Sequence, residues 1–116
     1  MTWTDVCAAT DLVADRGAAA VVDGHVVAIF LLGCGTVRAV DARDPRTGAI
    51  VLARGLVGEH GGRRTVASPL HKQRYDLTTG ECLDGGDPIA TWPARLHDGR
   101  VQVAVALDGA ATTNAA

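Results

Sequence analysis

Three two-residue turn signals divide this chain into runs that can form strands. Asp23-Gly24, Thr79-Gly80 and Asp98-Gly99 each lie between such runs. A Gly-containing pair in this setting is a strong short-range signal for a β-hairpin, because glycine readily adopts the positive φ that tight turns require. We therefore expect hairpins over residues 17–32, 74–84 and 90–106.

The strand-forming runs differ in how they are expected to be covered. The run 25–32 is apolar on both faces, which predicts a central strand that is buried on both sides. The stretch Arg100-Val101-Gln102-Val103 alternates polar and apolar residues, as a half-exposed strand does. Only residues 11–16 suggest a helical turn, with Thr10 as its N-cap. These patterns predict an all-β fold, either a small sandwich or a partly open barrel, as one domain over 1–107 with a tail over 108–116.

Composition excludes several classes of protein. The longest apolar run, 26–32, is far shorter than the roughly 20 residues that a spanning helix needs, and no signal peptide precedes it, so we expect a cytoplasmic protein without a membrane partner. Cys7, Cys34 and Cys82 are an odd number at wide spacing, which favours reduced, mostly structural thiols over a disulfide framework. The chain has only four aromatic residues and a net charge of −2, so nucleic acid is not an expected partner.

The motif with the most chemical information is Ser68-Pro69-Leu70-His71. It has the layout of the second metal-binding loop of a Rieske iron–sulfur domain, with serine in place of the cysteine ligand. A Rieske [2Fe–2S] centre needs two Cys thiolates and two His imidazoles. The place of the first Cys-x-His pair reads Ala42-Arg43-Asp44-Pro45, so Ala42, Asp44 and Ser68 stand at three ligand positions. The remaining ligand, His71, cannot hold a cluster alone.

This combination resembles one family, the small subunit of the NAD(P)H-dependent assimilatory nitrite reductase, a Rieske-like domain without its cluster. The resemblance extends over nearly the whole chain. Departures are the connector 85–89, to which we assign no chemistry, and the residues after Leu107. The matching fragments, in order, are Trp3-Thr4-Asp5-Val6-Cys7, Val27-Ala28-Ile29-Phe30, Arg43-Asp44-Pro45, Gly48, 51–58, 66–73, Tyr75-Asp76-Leu77 and 79–83.

The resemblance implies a Rieske-like fold and an accessory role beside a large subunit. That large subunit would carry FAD, siroheme and a [4Fe–4S] cluster and reduce nitrite to ammonium with NADH or NADPH. This chain would hold no cofactor or metal and would not be catalytic alone. Ala42, Asp44, Ser68 and His71 would then be vestigial ligand positions.

Two other functions are compatible with parts of the sequence. The chain could be a cluster-free Rieske-like interaction module of a different oxidoreductase. An independent electron carrier of the Rieske ferredoxin type is excluded by the ligand count, unless Cys34, Cys82, His60 and His71 converge in the fold.

The distribution of charge suggests where a partner would bind. Residues 43–74 hold seven basic and two acidic residues, whereas the rest of the chain holds four basic and eleven acidic residues. One interpretation is that these side chains are merely solvated, in a chain that uses Arg far more than Lys. The other is that the former ligand loops form a basic face that steers docking onto an acidic surface. On that interpretation we expect Arg43, Pro45, Pro69 and Lys72 to contact the partner.

Overall fold

The computed structural model of the protein describes residues 2–105, so the predicted tail over 108–116 and the domain boundary at 107 lie outside the described residues. Ten strands and two short 3-10 turns, Ala9–Asp11 and Leu52–Arg54, form the described part of the chain. The strands are β1 (Thr4–Ala8), β2 (Gly17–Val22), β3 (His25–Leu31), β4 (Val37–Asp41), β5 (Leu56–His60), β6 (Arg63–Ala67), β7 (Arg74–Asp76), β8 (Thr91–Trp92), β9 (Ala94–His97) and β10 (Arg100–Val103).

The strands form three open antiparallel sheets. The middle sheet has the order β2-β3-β4-β8, a second has the order β5-β6-β7, and a third has the order β1-β10-β9. The all-β, sandwich-like prediction is confirmed, and since the sheets stay open, no closed barrel forms from these strands.

Strand β3 explains why the middle sheet is covered on both faces. Successive side chains of a strand point to opposite faces of its sheet. Ala28 and Phe30 pack in one core with residues of the β5-β6-β7 sheet, such as Val66. Val27 and Ile29 pack in a second core with residues of the β1-β10-β9 sheet. The predicted central strand that is buried on both sides is therefore confirmed.

The three predicted hairpins are present to different degrees. The β2-β3 hairpin over 17–32 is confirmed, with Gly24 at φ +83° in its turn. The hairpin around Asp98-Gly99 is confirmed, but it is limited to β9 and β10, because Thr91–Trp92 pairs with β4 instead. The 74–84 hairpin is reduced to one bridge between Tyr75 and Cys82, and β7 pairs mainly with β6.

The predicted helical turn over 11–16 is wrong. The 3-10 turn lies earlier, at Ala9–Asp11, because the Asp11 carboxylate accepts a hydrogen bond from the Ala8 amide (3.2 Å) and closes the turn there. Thr10 therefore lies inside the turn and is not its N-cap. Asp15, at φ +61°, then interrupts any helical continuation. Within residues 2–105 no helix is long and apolar enough to cross a membrane.

Candidate functional site

Two loops meet at one end of the middle sheet, and they are the two loops that the sequence motif singled out. The first follows β4 and folds back on itself, with Arg43 bridged to Ile50 and the Asp44 amide donating to the Ala49 carbonyl (2.8 Å). The second joins β6 to β7, where the Ser68 amide donates to the Gln73 carbonyl (2.9 Å). We call the two loops, residues 42–51 and 68–73, the tip loops, and the end of the molecule that they form the tip.

A buried polar network joins the two loops. The Ser68 hydroxyl donates to Oδ2 of Asp44 (2.5 Å), and the Gln73 side-chain amide donates to Oδ1 of Asp44 (2.9 Å). The same amide group of Gln73 lies 3.0 Å from the Tyr75 hydroxyl. All four side chains are at most 5% exposed. The contact between the loops is therefore made by a carboxylate that is removed from water and surrounded by donors.

The ionisation of Asp44 follows from these contacts. Burial opposes the charged form, but hydrogen bonds from the Ser68 hydroxyl and the Arg46 backbone amide favour it. The hydrogen bonds prevail, so the pKa of Asp44 lies below its usual range. Burial raises the pKa of Tyr75, which keeps this phenol neutral. The network thus consists of one anion and neutral donors.

The residues at the tip do not fit a [2Fe–2S] cluster. The buried Ala42 side chain is a methyl group, and both oxygens of the Asp44 carboxylate already accept hydrogen bonds. His71 is exposed, and its side chain has no hydrogen-bond partner among residues 2–105. An iron–sulfur cluster needs thiolate ligands, which none of these positions supplies.

The alternative ligand set does not come together either. Cys34 lies in the turn between β3 and β4, at the far end of β4 from the tip, and its thiol donates to the Thr36 hydroxyl (3.3 Å). Cys82 is buried opposite Tyr75. Over the part of the chain that the structure describes, no group of three or more His, Cys, Asp or Glu residues could hold a metal ion.

The three cysteines have different environments. All are free, but Cys34 is exposed and Cys7 is only partly buried. The expectation that cysteines in this chain are structural therefore fits Cys82 best. Hydrogen bonds from Thr36 lower the pKa of the Cys34 thiol, whereas burial raises that of Cys7.

The residues expected to contact a partner are all exposed around the network. They are Arg43, Pro45, Pro69 and Lys72. The Arg43 guanidinium donates to the Gly48 carbonyl (2.7 Å), which anchors it within its own loop. Lys72 has φ +62°, and its amide donates to the Ser68 carbonyl (2.9 Å), so its backbone is held in a conformation unusual for a side-chain-bearing residue.

Tertiary pairing changes the interpretation of the basic segment 43–74. Arg63 pairs with Asp76 and Glu81 (2.6 Å each), Arg64 with Asp15 (2.6 Å) and Arg74 with Asp84 (2.9 Å). Arg74 lowers the pKa of Asp84 to about 2. The other four basic residues of the segment have no ion-pair partner within 2–105; they are Arg43, Arg46, Arg54 and Lys72. All of them except Arg54 lie in the tip loops. The uncompensated positive charge is therefore narrower than the sequence suggests and centres on the tip.

The connector after β7 also belongs to this end of the molecule. A cleft of about 370 Å³ lies between the first loop and the connector. Sequence reasoning assigned no chemistry to 85–89 and did not single out Gln73 or Tyr75 as network members. The polar Gln73 between two strands was the available signal, since a buried amide needs partners. The residues lining the cleft are Pro45, Arg46, Gln73, Tyr75, Cys82, Asp84, Gly85, Gly86 and Asp87.

Comparisons of the sequence and of the structure with known proteins indicate the same family. Residues 2–104 match the family described as the Rieske-like [2Fe-2S] domain. The chain is 38% identical over 103 residues to the nitrite reductase (NADH) small subunit of Escherichia coli K12, covering 87% of this chain and 95% of that protein. A crystal structure from Mycobacterium tuberculosis, solved as an NADH-dependent nitrite reductase small subunit, superposes with a TM-score of 0.85 at 44% identity, over 88% of this chain and 93% of that chain.

A similar segment also occurs inside a longer protein. The nitrite reductase [NAD(P)H] large subunit of Klebsiella oxytoca is 36% identical to this chain over 102 residues, which are 87% of this chain and 11% of that protein. The whole described domain thus matches both separate small subunits and a segment of a large subunit. The chain belongs to the Rieske-like [2Fe-2S] domain family and, within it, to the small subunits of NADH-dependent nitrite reductases.

Proposed function

We propose that this chain is the accessory subunit of an NAD(P)H-dependent nitrite reductase that reduces nitrite to ammonium in the cytoplasm. Similarity to nitrite reductase small subunits over 87% of the chain is the observation that carries the proposal. The Klebsiella large subunit, which contains a similar segment in the same polypeptide, supports the large subunit as the partner.

In this proposal the reaction takes place on the large subunit. FAD, siroheme and a [4Fe–4S] cluster there would pass electrons from the pyridine nucleotide to nitrite, since such chemistry is carried by cofactors. This chain would contribute no redox centre, because Ala42, Asp44, Ser68 and His71 supply no thiolate and only one imidazole. It would act through binding, as one domain over 1–107 with a tail over 108–116.

The tip would be the docking face. Arg43, Pro45, Pro69 and Lys72 surround a rigid, buried base, and the cations among them are unpaired within 2–105. Exposed charges that are not neutralised by the protein itself steer association with an oppositely charged surface. Asp44 and Ser68, with Gln73, would then hold the docking loops together where a cluster would do so in a Rieske domain.

Reconstitution tests the proposed function. The full chain, a flavin- and siroheme-containing large subunit from the same organism, and their mixture are each assayed for NADH- and NADPH-dependent nitrite consumption and ammonium formation. We expect no turnover by the full chain alone and binding to the large subunit in the mixture. Turnover by the rigorously purified chain alone would overturn the accessory role. Failure to bind any flavin- and siroheme-containing large subunit would favour an interaction module of another oxidoreductase.

A further inference from the structure

The tip carries an exposed apolar centre that the charge pattern does not reveal. Ile50 and Leu70 are 48% and 47% exposed, and Pro45 and Pro69 are exposed beside them in the same loops. We define these four residues as the apolar tip patch. Ile50 lies across a β-bridge from Arg43, and Leu70 follows Ser68 by two residues, so both lie close to the contact between Asp44 and Ser68.

The patch is held on an ordered base. The Leu70 amide donates to the Ser68 hydroxyl (3.3 Å), and the same hydroxyl donates its proton to Asp44. The two loops that carry the patch are thus tied together by a network that is removed from water. An interface whose loops are already ordered loses less conformational entropy on binding than one whose loops must become ordered.

The surroundings of the patch match the anatomy of a protein interface. Such interfaces have an apolar centre and a polar rim. Here the rim consists of Arg43, Arg46 and Lys72, none of which has an ion-pair partner within 2–105. Arg63, Arg64 and Arg74, in contrast, are paired with carboxylates.

We propose that Ile50 and Leu70 are the apolar anchors of the interface with the large subunit, inserting into an apolar depression that is bordered by acidic side chains. This inference rests on the proposed function and specifies its contact surface. The basic rim selects an acidic border, and it disfavours a second copy of this chain, because two basic rims would then face each other. The rim sets how fast the partners meet, and the anchors set how slowly they separate.

Binding kinetics of the full chain on immobilised large subunit test the proposal. Leu70→Ala and Ile50→Ala remove the anchors and leave the rim charges unchanged. We expect each variant to raise the dissociation rate on the order of tenfold, since it loses much of the area that a buried Leu or Ile contributes. The association rate should stay within about threefold of the wild-type value, because interface mutations act mainly on dissociation.

Leu96→Ala is the matched control. Leu96 lies on β9, in a different sheet, and is 41% exposed, so it resembles the anchors in size and exposure but not in location. Its dissociation rate should equal that of the wild type. Far-ultraviolet circular dichroism and thermal unfolding of each variant establish that it is folded.

The outcomes separate the two proposals. Absence of wild-type binding to the large subunit would overturn the proposed function. Wild-type binding with unchanged dissociation of both Leu70→Ala and Ile50→Ala would overturn the anchor assignment alone. Concentration-dependent dimers in sedimentation that disappear in Leu70→Ala would assign the patch to self-association and would also overturn it.

Discussion

The Ser68 hydroxyl donates a 2.5 Å hydrogen bond to Oδ2 of Asp44, across 24 residues of chain and with both side chains buried. On the proposed assignment these residues stand at two vestigial ligand positions, and a hydrogen bond joins the loops that a cluster would join in a Rieske domain. The Asp44 carboxylate in this contact is negatively charged, because its pKa is lowered despite its burial. Asp44 thus links the two loops through hydrogen bonds from Ser68 and Gln73.

Ser68→Ala should weaken the contact between the two tip loops and alter the ionisation of Asp44. The variant removes a donor that favours the carboxylate, so the pKa of Asp44 should rise towards and above its usual value. Loss of a hydrogen bond to a charged group should lower the free energy of unfolding by about 1–3 kcal/mol. Urea unfolding measures the change in the free energy of unfolding. A carbon-detected NMR titration measures the pKa of Asp44. Thr78→Ala, an exposed control, should change stability by less than about 0.5 kcal/mol. An unchanged Asp44 pKa would show that Ser68 does not stabilise the anion.

The free energy of unfolding should fall in acid, because carboxylates that are stabilised as anions in the folded protein become protonated. The pKa values of Asp44 and Asp76 are lowered in the folded protein, and that of Asp84 is lowered to about 2. A group with a lowered folded pKa stabilises the fold above its unfolded pKa, near about 3.9 for Asp, and loses that contribution as the pH falls through the folded pKa. Unfolding free energy should thus be nearly flat from neutral pH to about pH 5 and fall below about pH 4. In Ser68→Ala the decline below about pH 4 should be shallower, because an Asp44 pKa near or above its unfolded value no longer stabilises the charged folded state. An equally steep decline in both proteins would contradict the role of Asp44.

Charge reversal at the tip should slow docking. Arg43→Glu combined with Lys72→Glu should lower the association rate with the large subunit at low salt and reduce its dependence on salt, because exposed charges act mainly on encounter. Arg16→Glu is the control, since Arg16 is exposed and precedes Gly17, which pairs with Phe30 at the opposite end of the middle sheet. Stopped-flow or surface-based kinetics at low and high salt provide the measurement. Equal low-salt association rates for wild type and the double variant would place the docking face elsewhere.

The purified protein should contain no iron. Asp44 and Ser68 offer hard oxygen atoms, which are poor ligands for iron–sulfur clusters. Anaerobic purification followed by metal analysis and visible spectroscopy measures the content. Ser68→Cys alone should also remain colourless, because a single thiolate at the tip does not complete the ligand set of a Rieske centre. Stoichiometric iron with visible absorption bands in the wild-type protein would contradict the assignment of these positions as vestigial.

Gly80 should be irreplaceable for a steric reason. It has φ +81°, and a Cβ atom there would approach the Ile89 carbonyl oxygen to 2.1 Å, where the Ile89 amide already donates to the Gly80 carbonyl. Gly80→Ala should therefore lower the free energy of unfolding by more than the roughly 1–3 kcal/mol expected for backbone strain alone. Gly85→Ala is the control, because Gly85 has φ +89° but no atom within 4 Å of its added Cβ. Equal losses in urea unfolding would show that conformation alone explains both positions.

Much of the middle sheet could be predicted from local sequence. The Asp23-Gly24 turn and the two-sided apolar run after it specify a hairpin whose second strand is buried on both faces, and β2 and β3 have this arrangement. The 74–84 hairpin was less accurate because the Asp76 carboxylate accepts the amides of Thr78 (2.6 Å) and Thr79 (3.0 Å). These side-chain hydrogen bonds shape the loop after β7, and turn-residue statistics alone do not reveal them.

The sequence by itself determined the all-β class, the family resemblance and the absence of thiolate or imidazole side chains at Ala42, Asp44 and Ser68, because turn chemistry, periodicity and residue identity are local properties. Tertiary structure alone decided which charges remain unpaired within 2–105 and which side chains join the two tip loops. Arg64 is neutralised by Asp15, 49 residues away, and Asp44 meets Gln73 across 29 residues. Such pairs depend on how three sheets stack and which loop ends they bring together, and neither spacing nor composition encodes that arrangement directly.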